Sequence, residues 1–201
     1  MIYAGIDYSM SSPSICVWDS TTELKFKNCL VYNFGNWSRC GYFQGDRGNL
    51  SILKQPAFSC NEERFINLAN WAKAVMIENS VDKAVLEGYS YGSKGNTFEI
   101  GENTSLLKNA LFNLKIPFAI VDPNTIKKNA TGAGNAGKDV MYAAFVEQEG
   151  VLLERQIGYH TLGDSKVDVK LKEKPWELKP VDDCIDSFFV LKSHPDIRNN
   201  Q

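Results

Sequence analysis

The hydrophobic period of this chain changes partway along, and that change restricts the fold more than any single residue does. Residues 2–8 and 14–18 are short apolar runs, and 24–34 alternates polar and apolar side chains, as strands do. Turn-rich clusters at 9–13 and 19–23 separate the three, so they read as an antiparallel meander. From 61 to 79 the period becomes helical, with Phe65, Leu68, Ala69, Ala72, Val75 and Met76 on one face. Strands and helices then alternate: strands are expected at 83–87 and 118–121, helices at 102–114, 125–129, 138–148 and 182–192. Three strands followed by such alternation imply an α/β fold, a mixed five-stranded sheet with helices packed against it.

Two segments fit no compact element. Residues 35–60 are rich in Gly, Asn and aromatics, and 150–180 is a charged stretch in which Val167, Val169 and Leu171 alternate like a hairpin strand. Both read as insertions or extended loops within one domain spanning 1–201, since no repeat, low-complexity tract or linker divides the chain. The N-terminal residues lack a secretory signal, and no stretch reaches the roughly 18 apolar residues of a membrane span, so a cytoplasmic location is expected. The five cysteines, Cys16, Cys29, Cys40, Cys60 and Cys184, have no zinc-ligand spacing, and only two histidines accompany them. That argues against structural zinc and for reduced thiols. The net charge of -2 gives no global attraction to nucleic acid. A nucleic-acid partner would require lysines gathered on one face and acids concentrated in a site.

The acids have such a distribution. Asp7 directly follows an apolar run, and Glu87 ends Ala84-Val85-Leu86 in the same way. Strand carboxyl ends are common places for sites in sheet-plus-helix folds, and neighbouring strands would bring these two acids together. Asp182, Asp183 and Asp186 open a helix whose Ile185, Phe188 and Phe189 would face the core. Spacings of three and four share a helical face, so Asp183 with Asp186, or Asp182 with Asp186, can point at a common spot. Clustered carboxylates repel unless cations neutralise them, and hard ions such as Mg²⁺ take oxygen ligands. Helix capping by Asp182 and Asp183 is the competing explanation of that pair. The order of four acids at element ends favours a site.

The motifs Gly5-Ile6-Asp7, Leu86-Glu87-Gly88, Thr131-Gly132-Ala133-Gly134-Asn135-Ala136-Gly137-Lys138 and Pro180-Val181-Asp182-Asp183-Cys184-Ile185-Asp186, with His194 beyond, occur in an order that resembles the RuvC family of Holliday junction resolvases. The resemblance implies an RNase H-like fold with helices on both faces of the sheet, and a Mg²⁺-dependent endonuclease in which Mn²⁺ can substitute. By the same resemblance Asp7, Glu87, Asp183 and Asp186 are metal-binding catalytic acids holding two ions, and Lys138 is a phosphate or active-site contact. Paired nicking of four-way DNA junctions by a homodimer, in a bacterial or phage-infected cell, is the implied activity. The chain departs from the family at Gly137, where an acid is common, and in the length of 35–60 and of the segment before the last helix. Those departures leave room for a broader range of branched DNA.

Lys94, Lys127, Lys128 and Lys138 fall in loops or helix starts after the acid-bearing strands and are candidate phosphate contacts. Tyr91, with Phe98 behind it, is the candidate for stacking on unpaired bases, the part an aromatic of this loop plays in the resembled family. Tyr89 reads equally as a core residue of the strand end. Trp37, Tyr42 and Phe43 offer a similar surface that hairpin packing explains as well, and His194 reads as a helix-end residue favoured by the dipole. Two rival functions remain. One is an RNase H-like binder of structured nucleic acid that does not cut. The other is a nucleotide hydrolase using Gly132 to Lys138, which nearly forms a P-loop but has Asp139 where Ser or Thr belongs and a helical lead-in where a strand belongs. An actin-like ATPase, suggested by Gly5-Ile6-Asp7, lacks a second phosphate loop.

Overall fold

The apolar runs at the start of the chain form the expected meander, β1 (Ile2–Asp7), β2 (Ser14–Asp19) and β3 (Cys29–Gly35), in a computed structural model that describes residues 1–35, 45–89, 97–159 and 165–199. β3 begins later than its alternation predicts because Phe26–Asn28 forms a 3-10 turn. That turn puts Phe26 into the core, edge-on to Phe145 and Phe188 at centroid distances of 4.9 and 5.5 Å. The segment 35–60 is not simply extended loop. It supplies β4 (Gly45–Arg47) and β5 (Leu50–Lys54), and Leu50 and Ile52 bury one face of a strand too short to stand out among its polar neighbours.

Downstream come α1 (Asn61–Glu78), β6 (Lys83–Glu87), α2 (Thr97–Asn113), β7 (Phe118–Val121), α3 (Pro123–Thr131) and α4 (Lys138–Glu149). The short α5 (Leu153–Ile157), α6 (Ser165–Glu173), α7 (Val181–Lys192) and α8 (Pro195–Arg198) complete the order. α6 replaces the predicted hairpin strand. Val167 and Leu171, four residues apart, pack against the core from one helical face, while Val169 is 54% exposed. The sheet has seven strands where five were expected, in the order β4-β5-β3-β2-β1-β6-β7. Pairing is parallel for β1–β6, β6–β7 and β3–β5 and antiparallel elsewhere, so the sheet is mixed.

Helices cover both faces, as expected. Ala4, Ile6, Ile15, Val17, Ala84 and Leu86 point to the side covered by Leu68, Ala72 and Val75 of α1 and Leu107 and Leu111 of α2. The alternate residues Tyr3, Cys16, Val31 and Val85 meet Ile185, Phe188 and Phe189 of α7 and Phe145 of α4. α7 is sandwiched, with ten of its residues buried, and lies so close on β1 that a Cβ at Gly5 would stand 2.3 Å from the Leu191 nitrogen. Among the described residues no helix is long and apolar enough to cross a membrane.

Candidate functional site

Strand pleating carries the alternation of β1 one step beyond Gly5, so Asp7 faces the same side as Gly5, toward α7. In register, the row Val31, Cys16, Gly5 and Val85 is apolar, and the row two residues further along is Asn33, Ser14, Asp7 and Glu87. A buried apolar floor thus gives way, across four adjacent strands, to a polar end. The start of α7 lies over it: Ser187 Oγ and Ser14 Oγ are 3.0 Å apart. The Asp183 Oδ2 accepts from Ser12 Oγ at 2.7 Å, and Asn33 Nδ2 donates to that same Ser12 oxygen at 3.2 Å.

Two ammonium groups reach the first-turn acids. Lys179, just before α7, donates to Asp182 Oδ2 at 2.9 Å and to Asp183 Oδ1 at 2.7 Å. Lys138, the first residue of α4, ion-pairs with the same Asp182 oxygen. Asp182 Oδ1 is buried without a hydrogen-bond partner. On the opposite side of the strand ends, a cleft of about 540 Å³ is lined by Asp7, Tyr8, Glu87, Arg64, Ile100 and Thr104 among others. Asp183 and Asp186 do not line it, so Asp7 and Glu87 form the boundary between the cleft and the α7 acids.

No protein-family model matches the sequence, and no curated protein matches it. Solved structures do. A Thermus thermophilus RuvC structure in complex with Holliday junction substrate matches with a TM-score of 0.60 at 14% identity, over 99% of this chain and 96% of that one. A second Thermus thermophilus RuvC structure matches with a TM-score of 0.55 at 13% identity, over 94% and 92% of the two chains. The chain has the RNase H-like fold of the RuvC resolvases. At such identity the likeness concerns backbone, and the chemistry must be read from the side chains themselves.

Electrostatics sets this acid cluster apart from a capped helix. Burial, then the charges of Glu87, Asp186 and Asp183, push the Asp7 carboxyl well above the usual aspartate range. Asp186 is raised to about 7 by burial and by Asp182, with Lys138 opposing. Burial also raises Asp183, with Asp182 adding to it and Lys179 opposing, and raises Glu87 against the pull of Lys127 and Lys138. Lys138 and Lys179 are held above their ordinary values, burial working against their charge and the aspartates outweighing it.

The sign of the pH dependence follows. Between an ordinary aspartate value of about 3.9 and the raised value of about 7, the folded chain holds a proton on Asp186 that the unfolded chain has released. Metal-free stability therefore rises as pH falls through that window. Burial of His194 disfavours its charged form and acts oppositely below its ordinary value of about 6.5. Thermal unfolding in chelator is expected to show a higher midpoint at about pH 6.5 than at about pH 8. A flat or inverted profile would remove the carboxylate repulsion.

The donor set suits a hard divalent cation. It is all carboxylate oxygen, its members raise one another's pKa, and among the described residues no hydrogen bond reaches the carboxylates of Asp7, Glu87 or Asp186. Among the described residues no three acids are already arranged around one point as ligands of an ion. The ammonium groups of Lys138 and Lys179 hold Asp182 and Asp183, so an ion taking these carboxylates would have to displace them.

The sequence-predicted acids Asp7, Glu87, Asp183 and Asp186 thus gather at one end of the sheet, with Lys138 at their edge. Lys127 on α3 is half-buried and acts on Glu87; Lys128 beside it is exposed, and no contact ties it to the acids. Tyr91, Lys94, Trp37, Tyr42 and Phe43 lie outside the described residues. Phe98 is 86% exposed, and Tyr89, rather than joining the core, is 40% exposed with the Lys108 ammonium 4.9 Å from its ring centre. His194 does not act as a charged group at the end of α7. Its Nδ1 accepts from the Asp196 nitrogen at 3.1 Å and caps α8. The glycine stretch follows helix α3, which ends at Gly132 with a φ of 83°, so the strand a P-loop needs is missing. Lys179, Ser12, Asn33 and Arg64 were not anticipated. Of these only Lys179, three and four residues ahead of Asp182 and Asp183, left a sequence signal.

Proposed function

We propose that this chain is a divalent-metal-dependent endonuclease that hydrolyses phosphodiester bonds in branched DNA, with four-way junctions as its foremost substrate and a homodimer as its working form. The observation that carries the reading is the placement of Asp7 and Glu87 at the ends of adjacent parallel strands beneath the start of α7, near enough to Asp183 and Asp186 for their charges to act on one another. Supporting it is the fold, shared with a RuvC solved in complex with Holliday junction substrate.

Asp7, Glu87, Asp183 and Asp186 would hold the metal, with Mg²⁺ native and Mn²⁺ a substitute. Bound there, divalent ions supply Lewis acidity, lowering the pKa of an attacking water and stabilising the leaving oxygen. Ser12, itself fixed by Asn33, orients the Asp183 carboxylate. Lys138, 57% exposed, is free to swing from Asp182 to a substrate phosphate. Lys179 keeps Asp182 and Asp183 together when no metal is present. Lys127 and Lys128, and the sequence-predicted Tyr91 and Lys94 beyond Glu87, would extend the DNA contact.

The ammonium groups resting on Asp182 and Asp183 also suit a protein that binds structured nucleic acid without cutting. One experiment separates the two. A labelled four-way junction, a flap, an RNA–DNA hybrid and plain duplex are incubated with the chain in Mg²⁺ and in chelator. Nicks in the junction that need Mg²⁺ are expected. Binding of the junction with no cleavage in Mg²⁺ or Mn²⁺ would assign the chain to the second class.

A further inference from the structure

Among the described residues lining the cleft beside Asp7 and Glu87, Arg64 is a cation that neither the acid cluster nor the sequence motifs account for. Arg64 lies in the first turns of α1, and its Nε is buried with no hydrogen-bond partner. Among the described residues no carboxylate forms an ion pair with it, although two acids immediately precede it. Both are engaged elsewhere. Glu63 Oε2 accepts from the nitrogen and the Oγ of Ser59, each at 2.7 Å, and Glu62 is held by hydrogen bonds at the start of α1. The guanidinium stands 4.9 Å from the centre of the Phe58 ring, which restricts its plane before any ligand arrives. Tyr8, which lines the same cleft, has a buried hydroxyl with no hydrogen-bond partner among the described residues.

A buried donor left unsatisfied is costly, the more so when charged, so an oriented arginine without an ion-pair partner is a site prepared for an anion. The cleft places that anion near Asp7 and Glu87, carboxylates that would repel it unless a fixed cation held it. We infer that Arg64 is a phosphate-binding residue, taking a backbone phosphate of a nucleic-acid strand lying in this cleft beside Asp7 and Glu87, with the Tyr8 hydroxyl as a second donor. The inference rests on the nuclease reading for its ligand class. The planar fork of Arg64 suits two phosphate oxygens, whereas a lysine would offer a point charge.

The test is equilibrium binding of a labelled four-way junction in chelator, where no cutting can occur, over a range of salt concentrations. Wild type, Arg64→Gln and Arg64→Lys are compared, with thermal unfolding of each protein alongside. Arg64→Gln is expected to weaken binding about tenfold and make the slope of log affinity against log salt shallower by about 0.9, the contribution of one phosphate contact on duplex DNA. Arg64→Lys should keep the wild-type slope at reduced affinity, and this variant decides the matter if the glutamine protein unfolds early. Wild-type affinity and slope in Arg64→Gln, or wild-type affinity in Arg64→Lys, would overturn the assignment while leaving the nuclease reading intact. Failure of wild type to bind any nucleic acid would end both.

Discussion

Replacing Gly5 with alanine is expected to cost this protein about 3 kcal/mol or more, the upper end of what overpacking a core exacts. An added Cβ would lie 2.3 Å from the nitrogen, 2.5 Å from the Cα and 2.5 Å from the Cβ of Leu191. The first two are backbone atoms in the last turns of α7, so no rotamer change relieves the overlap. Either α7 lifts off β1 or the strand bows away. Both options open the contact of Val85, Ile185, Phe188 and Phe189, each buried to 1% exposure or less. A domain is stable by only about 5–15 kcal/mol, so the loss is a large share of the total. Lifting α7 also moves Asp183 and Asp186 away from Asp7, and cleavage should fall together with stability. Chemical denaturation of the two proteins checks this; an unfolding free energy within about 0.5 kcal/mol of wild type would mean the helix and strand can part at little cost.

That contact also shows why some of the fold was legible in the sequence and some was not. α1 and α4 announce themselves because each buries one face and burial imposes a helical period, whereas β1, β2, β6 and α7 stand out as near-continuous apolar runs because they are covered on both sides. Of the predicted apolar face of α1, Phe65, Leu68, Ala72, Val75 and Met76 are buried, and Ala69 at its margin is half-buried. β4 and β5 gave no such signal. β5 buries only Leu50 and Ile52, and it pairs with the three-residue β4 just before it and with β3, so neither edge of this short segment carries a long apolar pattern. α6 misled because three apolar residues at alternate positions fit a strand, while the helix uses only Val167 and Leu171.

The acids were legible for a related reason. A carboxylate closing an apolar run conflicts with its surroundings unless something else uses it, and Asp7 and Glu87 both end buried strands in that way. What surrounds them could not be read. Ser12 and Asn33 reach Asp183 across 171 and, through Ser12, 150 positions of chain, and serines and asparagines are too common to mark themselves. That Arg64 has no ion-pair partner among the described residues is a property of the folded cleft. Even Glu63, one residue away, turns to Ser59.

Replacing Asp7 with asparagine is expected to change activity and stability in opposite directions. The Asp7 carboxyl is disfavoured in its charged form first by burial and then by Glu87, Asp186 and Asp183, with only Lys179 opposing. Asparagine keeps the shape and removes the charge, so the metal-free protein should unfold at a higher temperature than wild type at about pH 8, and the gap should narrow toward lower pH as Asp7 itself becomes protonated. Cleavage should fall by more than about 100-fold, beyond the loss typical of outer-shell partners of a metal, while junction binding in chelator persists. A stability gain with lost chemistry is the mark of a charge kept for function against the interest of the fold. A capping or purely structural aspartate would give the reverse, lower stability with activity following it. Equal cutting by the two proteins would remove Asp7 from the chemistry, and a lower midpoint in chelator would mean that its carboxylate is compensated in the folded chain by groups other than the four acids and two lysines described.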